Sequence, residues 1–325
     1  MASILIVGGA GYIGAHMALQ LHESGQQVIV LDNLSTGHRD FVLPGIEFVD
    51  GSISDAELLD KLFTQHDIKA VMHFAACLQV GESVINPEKY YQNNVAATLT
   101  LLNAMRKHHI TSFVFSSTAA IFGEPQYIPI DLAHLCNPIN PYGRSKLMVE
   151  QILADYDKAY GLKYATLRYF NACGADPKAR LGESHDPESH LIPLVLQAAS
   201  GRRTAITIYG DDYPTKDGTC IRDYIHVVDL CSAHQLALEQ LINSRNSAAY
   251  NLGNGTGYSV KEVIDVAKQV TGKAIKVSMG ERRIGDPAVL VADAEATITA
   301  LNWQIQYPKL DDIMAHAWHW EQRCQ

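Results

Sequence analysis

The chain has no long apolar run and no excess of positive charge. No stretch approaches the roughly 18 uninterrupted apolar residues of a membrane-spanning helix, so we expect no membrane partner. The formal net charge of −9 argues against nucleic acid or an anionic membrane surface as a partner. The opening stretch MASILIVGGAGYIG has no basic segment ahead of its short apolar run, so we expect no signal peptide.

Cysteine is sparse, and its spacing does not fit the common disulfide or zinc patterns. The six cysteines include no C-x-x-C pair, which favours reduced thiols in a cytoplasmic protein. Histidine is more frequent, but the pairs His108/His109 and His316/His319 have no thiolate or carboxylate partner at ligand spacing. We therefore expect no metal.

Strand and helix patterns alternate over the first half of the sequence. The run SILIVGGAG is followed by a helical pattern, and the later runs QQVIVLDN, KAVMHFAA and ITSFVFSST predict further buried strands. This alternation is typical of a parallel sheet with helices on both faces. We predict an α/β fold: a doubly wound parallel sheet (Rossmann domain, residues 1–175) and a smaller C-terminal α/β substrate-binding domain (176–325). Part of the latter, about 222–255, is expected to pack on the first domain.

The stretch NPINPYGRSK predicts the start of a helix. Asn140 suits the N-cap and Pro141 the first helical position, and the helical pattern continues to Gly161. Tyr142 and Lys146 lie four residues apart and therefore share one face of this helix. By itself this spacing usually means a half-buried tyrosine beside a solvated lysine, so its meaning depends on the rest of the chain.

Three glycines, Gly8, Gly11 and Gly14, form a G-x-x-G-x-x-G pattern between the first strand and the first helix. Glycines there allow the backbone to approach a pyrophosphate at a helix N-terminus. Asp32 ends the second strand, where a carboxylate binds a ribose diol and repels a 2′-phosphate, which favours NAD. Arg39 lies close enough in sequence to keep NADP open. The pattern predicts a dinucleotide site.

This glycine spacing, together with Tyr142 and Lys146, resembles the extended short-chain dehydrogenase/reductase family. The resemblance continues through LDNLSTGH, HFAA, FSST, PYGRSKLMVE, HLIP, YGDDYPTKDGTCIRDYIHVVDL and RRIGDP, and is greatest to the nucleotide-sugar 4-epimerases of that family. It implies interconversion of UDP-galactose and UDP-glucose by reversible oxidation at C4, through a 4-keto sugar, with tightly bound NAD. It also implies a homodimer.

The resemblance assigns the chemistry to three residues. Tyr142 would remove a sugar hydroxyl proton, Thr118 would hydrogen-bond the reacting hydroxyl and the tyrosine, and Lys146 would hold the nicotinamide ribose. Because a free phenol has a pKa near 10, we expect Lys146 and a positive nicotinamide ring to favour the phenolate.

The resemblance also assigns the binding residues. The residues implied at the cofactor are Gly8, Gly11, Tyr12, Ile13, Gly14, Asp32, Asn33, Ser52, Ile53, Phe74, Ala75, Asn93, Lys146 and Tyr169. Those implied at the UDP-sugar, besides Thr118 and Tyr142, are Asn171, His190, Leu191, Tyr209, Arg222, Arg283, Asp286 and Leu290. Guanidinium groups suit phosphate oxygens, which is why the two arginines are expected at the diphosphate. The alternatives are an ion pair of Arg222 with Asp223 and a solvated charge cluster around Arg283.

Two positions depart from the family pattern, and a third bears on the choice of sugar. Ser52 stands where an Asp usually lies beside the adenine, and Leu78 where many members carry a Lys near the cofactor phosphates. Leu290 falls at a position that lines the sugar pocket, where a bulky residue is associated with excluding 2-acetamido sugars. Leucine is intermediate in size, so UDP-N-acetylglucosamine and UDP-xylose/arabinose stay open as substrates.

Other functions within the same fold are less well supported. A nucleotide-sugar dehydratase needs an acid pair directly after Thr118, where this chain has Ala119 and Ala120. A reductase would use free NADPH, which Asp32 disfavours. A non-catalytic NAD-binding protein would be expected to lose Tyr142 or Lys146, and both are present.

Overall fold

The alternating apolar strands and amphipathic helices form a central sheet and a set of smaller ones. The structure is a computed structural model that describes residues 2–283 and 286–324. Its strands are β1 (Ser3–Val7), β2 (Gln27–Asp32), β3 (Glu47–Asp50), β4 (Ile68–His73), β5 (Ser112–Ser116), β6 (Lys163–Tyr169), β7 (Asn171–Cys173), β8 (Ile206–Tyr209), β9 (Ile221–His226), β10 (Ala248–Leu252), β11 (Gly257–Ser259), β12 (Val277–Gly280) and β13 (Val289–Leu290).

The helices carry most of the amphipathic patterns. They are α1 (Tyr12–Glu23), α2 (Ala56–Gln65), α3 (Val80–Ile85), α4 (Pro87–Tyr90), α5 (Ala97–Lys107), α6 (Pro141–Tyr160), α7 (Leu191–Ser200), α8 (Val227–Ser244), α9 (Val260–Thr271), α10 (Glu295–Leu301) and α11 (Leu310–Arg323). Within the described ranges, none of them is both long and apolar enough to cross a membrane.

The first compact unit contains the large sheet. It consists of the chain up to Gly123 together with Leu135–Arg168 and Cys231–Tyr250. The sheet has seven strands in the order β10-β6-β5-β4-β1-β2-β3, and the pairs from β3 to β6 are parallel. Strands β1, β4 and β5 are almost fully buried, as expected where helices cover both faces. The predicted doubly wound parallel sheet is confirmed.

The second compact unit is made of Glu124–His134, Tyr169–Leu230 and the chain from Asn251 onward. Its strands form a β11-β9-β13 sheet in which β7 also pairs with β9, and a β12-β8 pair. Helices α7, α9 and α11 bury a shared apolar core here. We predicted a single domain boundary at residue 175, but the chain passes between the units several times. One of these passages brings β10 to the edge of the large sheet, beside β6. The returning segment is Cys231–Tyr250, shorter than the predicted 222–255.

Local capping signals act as the sequence predicts. Asn140 Oδ1 accepts the N–H of Gly143 at 2.9 Å, Pro141 opens α6, and the helix ends before Gly161. At α9, Ser259 and Glu262 form a capping box.

A π-helical segment separates two α-helices between residues 87 and 107. Helix α4 leads into π-helical Tyr91–Ala96, and α5 follows. π-helical insertions are frequent at functional sites, and this one contains Asn93 and Asn94.

Candidate active site

The point where the strand order of the large sheet reverses lies between β1 and β4. The chain winds from β1 to β3 on one side and from β4 to β6 on the other. Directly after β4, Phe74 N and Ala75 N donate to Val7 O at 2.8 and 3.2 Å. Ligands of open α/β sheets bind at such a switch point, at the carboxyl ends of the strands.

The glycine loop after β1 has room for backbone but not for side chains. Gly8 adopts φ +79°, and a Cβ there would lie 2.5 Å from Ala75 N. A Cβ on Gly14 would overlap the carbonyl of Gly8. Helix α1 begins at Tyr12, behind Gly11, with no side-chain cap on its first turn. Such a turn offers N–H groups and a positive dipole end to a phosphate.

Asp32 ties the glycine loop to the end of β2. Its Oδ2 accepts the N–H of Ala10 at 2.9 Å, and its Oδ1 accepts the N–H of Leu34 at 2.8 Å. Each carboxylate oxygen has a further lone pair, so the group can still accept ribose hydroxyls. Arg39 stacks 4.4 Å from the centroid of the Phe48 ring. Arg39, which left NADP possible as the cofactor, therefore packs against an aromatic ring.

The remaining cofactor positions are divided between the two units. Asn33 is exposed after β2, while Ile53 is buried beyond β3. Ser52 Oγ lies 2.8 Å from Ser54 Oγ, so a neighbouring hydroxyl already engages it. Asn93 is on the π-helical segment of the first unit, whereas Tyr169 ends β6 and belongs to the second.

Thr118 and Tyr142 are brought together in the first unit. Thr118 caps a short 3₁₀ turn, Ala119–Ile121, and its Oγ1 accepts the N–H of Ala120 at 3.1 Å. The Thr118 side chain also hydrogen-bonds the Tyr142 hydroxyl, and this bond acts to lower the pKa of the phenol. A hydroxyl and a phenol therefore face one point beyond the end of β5.

In the chain alone, the pKa of Tyr142 is raised and not lowered. Burial raises it above the usual value, and the Thr118 hydrogen bond opposes this only in part. Lys146 is itself buried, with Nζ donating to Ser116 O at 2.8 Å. Desolvation lowers the pKa of Lys146 to about 7. A partly neutral amine is a weak source of positive potential, so a phenolate at Tyr142 requires a further cation.

Asn94 is a positioning residue that the sequence analysis did not single out. Its side chain is buried and holds the loop after β4, accepting from Cys77 N at 2.9 Å and donating to Cys77 O at 3.0 Å. It also donates to Ser145 Oγ on α6, beside Lys146, at 3.0 Å. The doublet Asn93–Asn94 on a helix was the available signal.

Glu150, a buried carboxylate near Lys146, is a second residue of this region that the sequence did not single out. It accepts from Ser117 Oγ at 2.5 Å and forms a buried ion pair with Arg168, whose Nη2 lies 2.6 Å from Oε2. Glu150 lies one turn beyond Lys146 on α6, and its charge raises the pKa of that lysine against the effect of burial. Its i+4 spacing from Lys146 was the sequence signal.

In the second unit, Arg222 lies on the central strand β9. It forms an ion pair with Asp286, and Leu290 on β13 is its register partner. The alternative of an ion pair with Asp223 is wrong. Asp223 is buried and accepts three backbone N–H groups within 3.1 Å, and burial raises its pKa to about 6.

Two further substrate candidates of this unit also contact each other. The Arg283 guanidinium lies 4.2 Å from the centroid of the Tyr209 ring, a cation–π geometry. Arg283 is exposed, so this contact does not exclude the alternative of a solvated charge cluster. Asn171 donates from Nδ2 to Asp223 O at 2.8 Å. Ile284 and Gly285, the centre of the RRIGDP motif, lie outside the described residues.

His190 and Leu191 lie at the start of α7. His190 is the N-cap residue, and its Nδ1 is 2.7 Å from Glu183 Oε1. The ring is therefore held by a buried carboxylate on the preceding loop.

The switch-point glycine loop, Asp32 and the Thr118–Tyr142 pair on a parallel sheet define a Rossmann-type dinucleotide-binding protein. The model of the NAD dependent epimerase/dehydratase family matches residues 4–253. The chain belongs to this family.

Relatives and solved structures match almost the full chain. A UDP-glucose 4-epimerase from Halalkalibacterium halodurans is 54% identical over 318 residues, which cover 98% of this chain and 95% of that protein. A UDP-glucose 4-epimerase from Lacticaseibacillus casei is 48% identical over 320 residues, 98% of this chain and 97% of that protein. The crystal structure of UDP-glucose 4-epimerase from Brucella ovis in complex with NAD is 48% identical, with a TM-score of 0.96 and 99% of each chain covered.

Proposed function

We propose that this chain interconverts UDP-galactose and UDP-glucose by inverting C4, with NAD as a tightly bound cofactor. The observation that carries the proposal is the similarity to UDP-glucose 4-epimerases over almost the whole length. The hydrogen-bonded pair of Thr118 and Tyr142 supplies the groups that the reaction needs.

The residues after β1 and β2 fit NAD. A Cβ would fill the cradle at Gly8 and Gly14, so backbone alone lines it. The first turn of α1 would hold the pyrophosphate, and Asp32 the adenosine ribose. Flanking positions proposed at the cofactor are Gly11, Tyr12, Ile13, Asn33, Ser52, Ile53, Phe74, Ala75, Asn93 and Tyr169. NAD held by these residues would supply the acceptor, and then the donor, of the C4 hydride.

Tyr142 acts as the general base and then as the general acid. It accepts the proton of the 4-hydroxyl as the carbonyl forms, and gives it back when the 4-keto sugar is reduced on its other face. Thr118 orients the reacting oxygen and the phenol. Lys146 would hold the nicotinamide ribose through its buried ammonium. Because burial raises the pKa of Tyr142, its phenolate forms only beside added positive charge, which an oxidised nicotinamide carries.

Inversion requires that the sugar present both faces while the nucleotide stays fixed. We assign the nucleotide to residues of the second unit, Arg222 and Arg283 for the diphosphate and Asp286 for the uridine ribose. A guanidinium has five N–H donors, so Arg222 can keep its Asp286 contact and still bind phosphate. The other proposed contacts are Tyr209, Asn171, His190, Leu191 and Leu290. Binding energy placed on the nucleotide leaves the sugar free to turn.

Purified protein mixed with UDP-galactose, with no cofactor added, tests the proposal by proton NMR of the anomeric signals. We expect UDP-glucose to form until the two sugars reach equilibrium, because NAD is recycled within one turnover. UDP-N-acetylglucosamine and UDP-xylose are run in parallel, since Leu290 is intermediate in size at the proposed sugar position. No product with or without added NAD would refute UDP-galactose as substrate, and turnover of only another sugar would identify that sugar instead.

We further propose that the chain forms a homodimer through the helices that carry Asn93 and Tyr142. A groove on their surface is lined by Tyr91, Val95, Leu99 and Met148, and Met148 is 40% exposed. Burying this apolar strip against a second copy would remove it from water. We also propose a cytoplasmic location, supported by six cysteines that are all free thiols.

A further inference from the structure

A cluster of histidines and carboxylates lies on the loop before α7, within the second unit. Glu183, His185, Glu188 and His190 each direct one nitrogen or oxygen atom to a common point, and these atoms lie within 4.8 Å of one another. The spacing is E-x-H-x-x-E-x-H. None of the four has a role in the proton or hydride transfer described above.

The distances between these atoms suit a small tetrahedral centre. His185 Nδ1 is 3.1 Å from Glu183 Oε1 and 3.7 Å from Glu188 Oε2. His190 Nδ1 is 2.7 Å from Glu183 Oε1 and 3.3 Å from Glu188 Oε1. Ligands at about 2.0–2.2 Å from Zn²⁺ in tetrahedral geometry are separated by about 3.3–3.5 Å. Three of the separations lie close to that value. The 2.7 Å contact of His190 with Glu183 is at hydrogen-bond length and would have to lengthen on metal binding.

The basic groups beside the two buried carboxylates are histidines. The side chains of Glu183 and Glu188 are 5% and 4% exposed. In the part of the chain that the structure describes, neither forms an ion pair with Lys or Arg. Burying a carboxylate in this way is unfavourable unless it is paired or coordinates a metal.

Hydrogen bonding within the cluster is incomplete at one oxygen. Glu183 Oε1 is buried and accepts no hydrogen bond of acceptable geometry, although two ring nitrogens are near it. Glu188 differs, because its Oε1 accepts from the backbone N–H of Ser189 at 2.7 Å and of His190 at 2.9 Å. Backbone bonds of this kind orient a ligating carboxylate and leave its second oxygen for a metal.

We propose that Glu183, His185, Glu188 and His190 bind one divalent transition-metal ion of the zinc type. Imidazole and carboxylate together suit this class of ion. Four protein ligands close the coordination sphere, which defines a structural site rather than a catalytic one. The ion would fasten the loop to the first turn of α7. The proposal departs from our sequence-based expectation of no metal, which considered the pairs His108/His109 and His316/His319 and not this loop.

The alternative to a bound metal ion is protonation of the two histidines. Two protonated histidines would also balance the two carboxylates, and the four side chains would then form two ion pairs. That arrangement leaves Glu183 Oε1 without a well-directed donor. It also predicts no dependence of stability on metal, which gives the two explanations different outcomes.

The test measures metal in tag-free protein dialysed against metal-free buffer. We expect about one equivalent of zinc per chain by mass spectrometry, and a large loss in a His185→Gln/Glu188→Gln double variant. His319→Gln is the matched control, because His319 is exposed on α11 in the same unit. Replacing zinc with Co²⁺ should give the intense visible bands of a four-coordinate ion.

A second measurement needs no variant. Chelation should lower the Tm of the wild-type protein by about 5 °C or more, and Zn²⁺ but not Mg²⁺ should restore it. The proposal is overturned if wild-type protein holds no metal and gains no Co²⁺ bands on titration. It is equally overturned if the double variant retains the wild-type metal content, since the ion would then be adventitious. Because His190 is also a proposed contact of the UDP-sugar, epimerase activity is measured separately and is not used to decide whether the metal binds.

Discussion

Tyr142 and Lys146 share a face of α6, and burial drives each toward its uncharged form. The pKa of the phenol is raised, and that of the amine falls to about 7. In the chain alone, the phenol is therefore a poor base at neutral pH. Positive charge brought by the cofactor would be needed to activate it, so the proton acceptor becomes effective only in the complex that can also accept a hydride.

Replacing Tyr142 with phenylalanine removes the proton acceptor while keeping the ring. We expect kcat to fall by about 10²–10⁴-fold, the range for a positioned acid–base group, with the bound NAD content unchanged. Tyr160→Phe is the control, because Tyr160 is 53% exposed at the other end of α6. Wild-type turnover in Tyr142→Phe, measured by coupled assay, would exclude Tyr142 as the base.

His73, at the end of β4, makes the free energy of unfolding decrease as the pH falls. Burial and nearby Lys146 lower its pKa from 6.5 to about 3, so the native state keeps this ring neutral. Between pH 6.5 and 3 the unfolded chain binds a proton that the native chain does not, and stability is lost as pH falls. From pH 7 to 5, this one group removes about 2 kcal/mol.

Urea unfolding of wild type and His73→Gln at pH 7 and pH 5 isolates that contribution. Glutamine can retain a polar contact with Thr98, which lies 3.0 Å from His73 Nε2. The loss of stability on acidification should be about 2 kcal/mol smaller in the variant. Equal losses in the two proteins would show that His73 takes up its proton in the native state.

At the level of elements, the glycine loop and helix α6 follow from short-range rules. A cap, a helix-start proline and a terminal glycine bound α6 as predicted. The π-helical insertion at Tyr91–Ala96 was not predicted, because its apolar pattern differs little from that of an α-helix. The insertion is stabilised in part by the contacts of Asn94 with the Cys77 loop and Ser145, which are remote in sequence.

The glycine loop allows a matched pair of substitutions. Gly8 and Gly25 both have φ near +80°. A Cβ added at Gly8 would clash with Ala75 N, whereas a Cβ added at Gly25 would meet no neighbouring atom. We expect Gly25→Ala to cost about 1 kcal/mol of stability from backbone strain alone. Gly8→Ala should in addition lose bound NAD, measured by absorbance of the released cofactor. Equal NAD content in the two variants would contradict a phosphate cradle at Gly8.

At the scale of the whole molecule, the proposed dimer depends on an apolar groove on the helices of the first unit. Met148→Glu places a charge in that groove, and we expect sedimentation analysis to show a monomer that retains NAD. Ile298→Glu is the control, since Ile298 is 38% exposed on α10 in the second unit. A wild-type monomer, or a dimer unaffected by Met148→Glu, would exclude this interface.

The sequence by itself determined the parallel sheet, the glycine loop with Asp32, and the shared helix face of Tyr142 and Lys146. These features depend on neighbours within a few residues or on one helix face, and periodicity, caps and spacing record such neighbours.

Only the tertiary structure decided the direction of the Tyr142 pKa, the pairing of Arg222 with Asp286, the return of Cys231–Tyr250 to the first unit and the convergence of Glu183 with His190. Desolvation, ion pairing and coordination depend on distances in space. Most of those distances join residues that are far apart in the chain. The distance between Glu183 and His190 depends on the path of a loop that has no periodic sequence pattern.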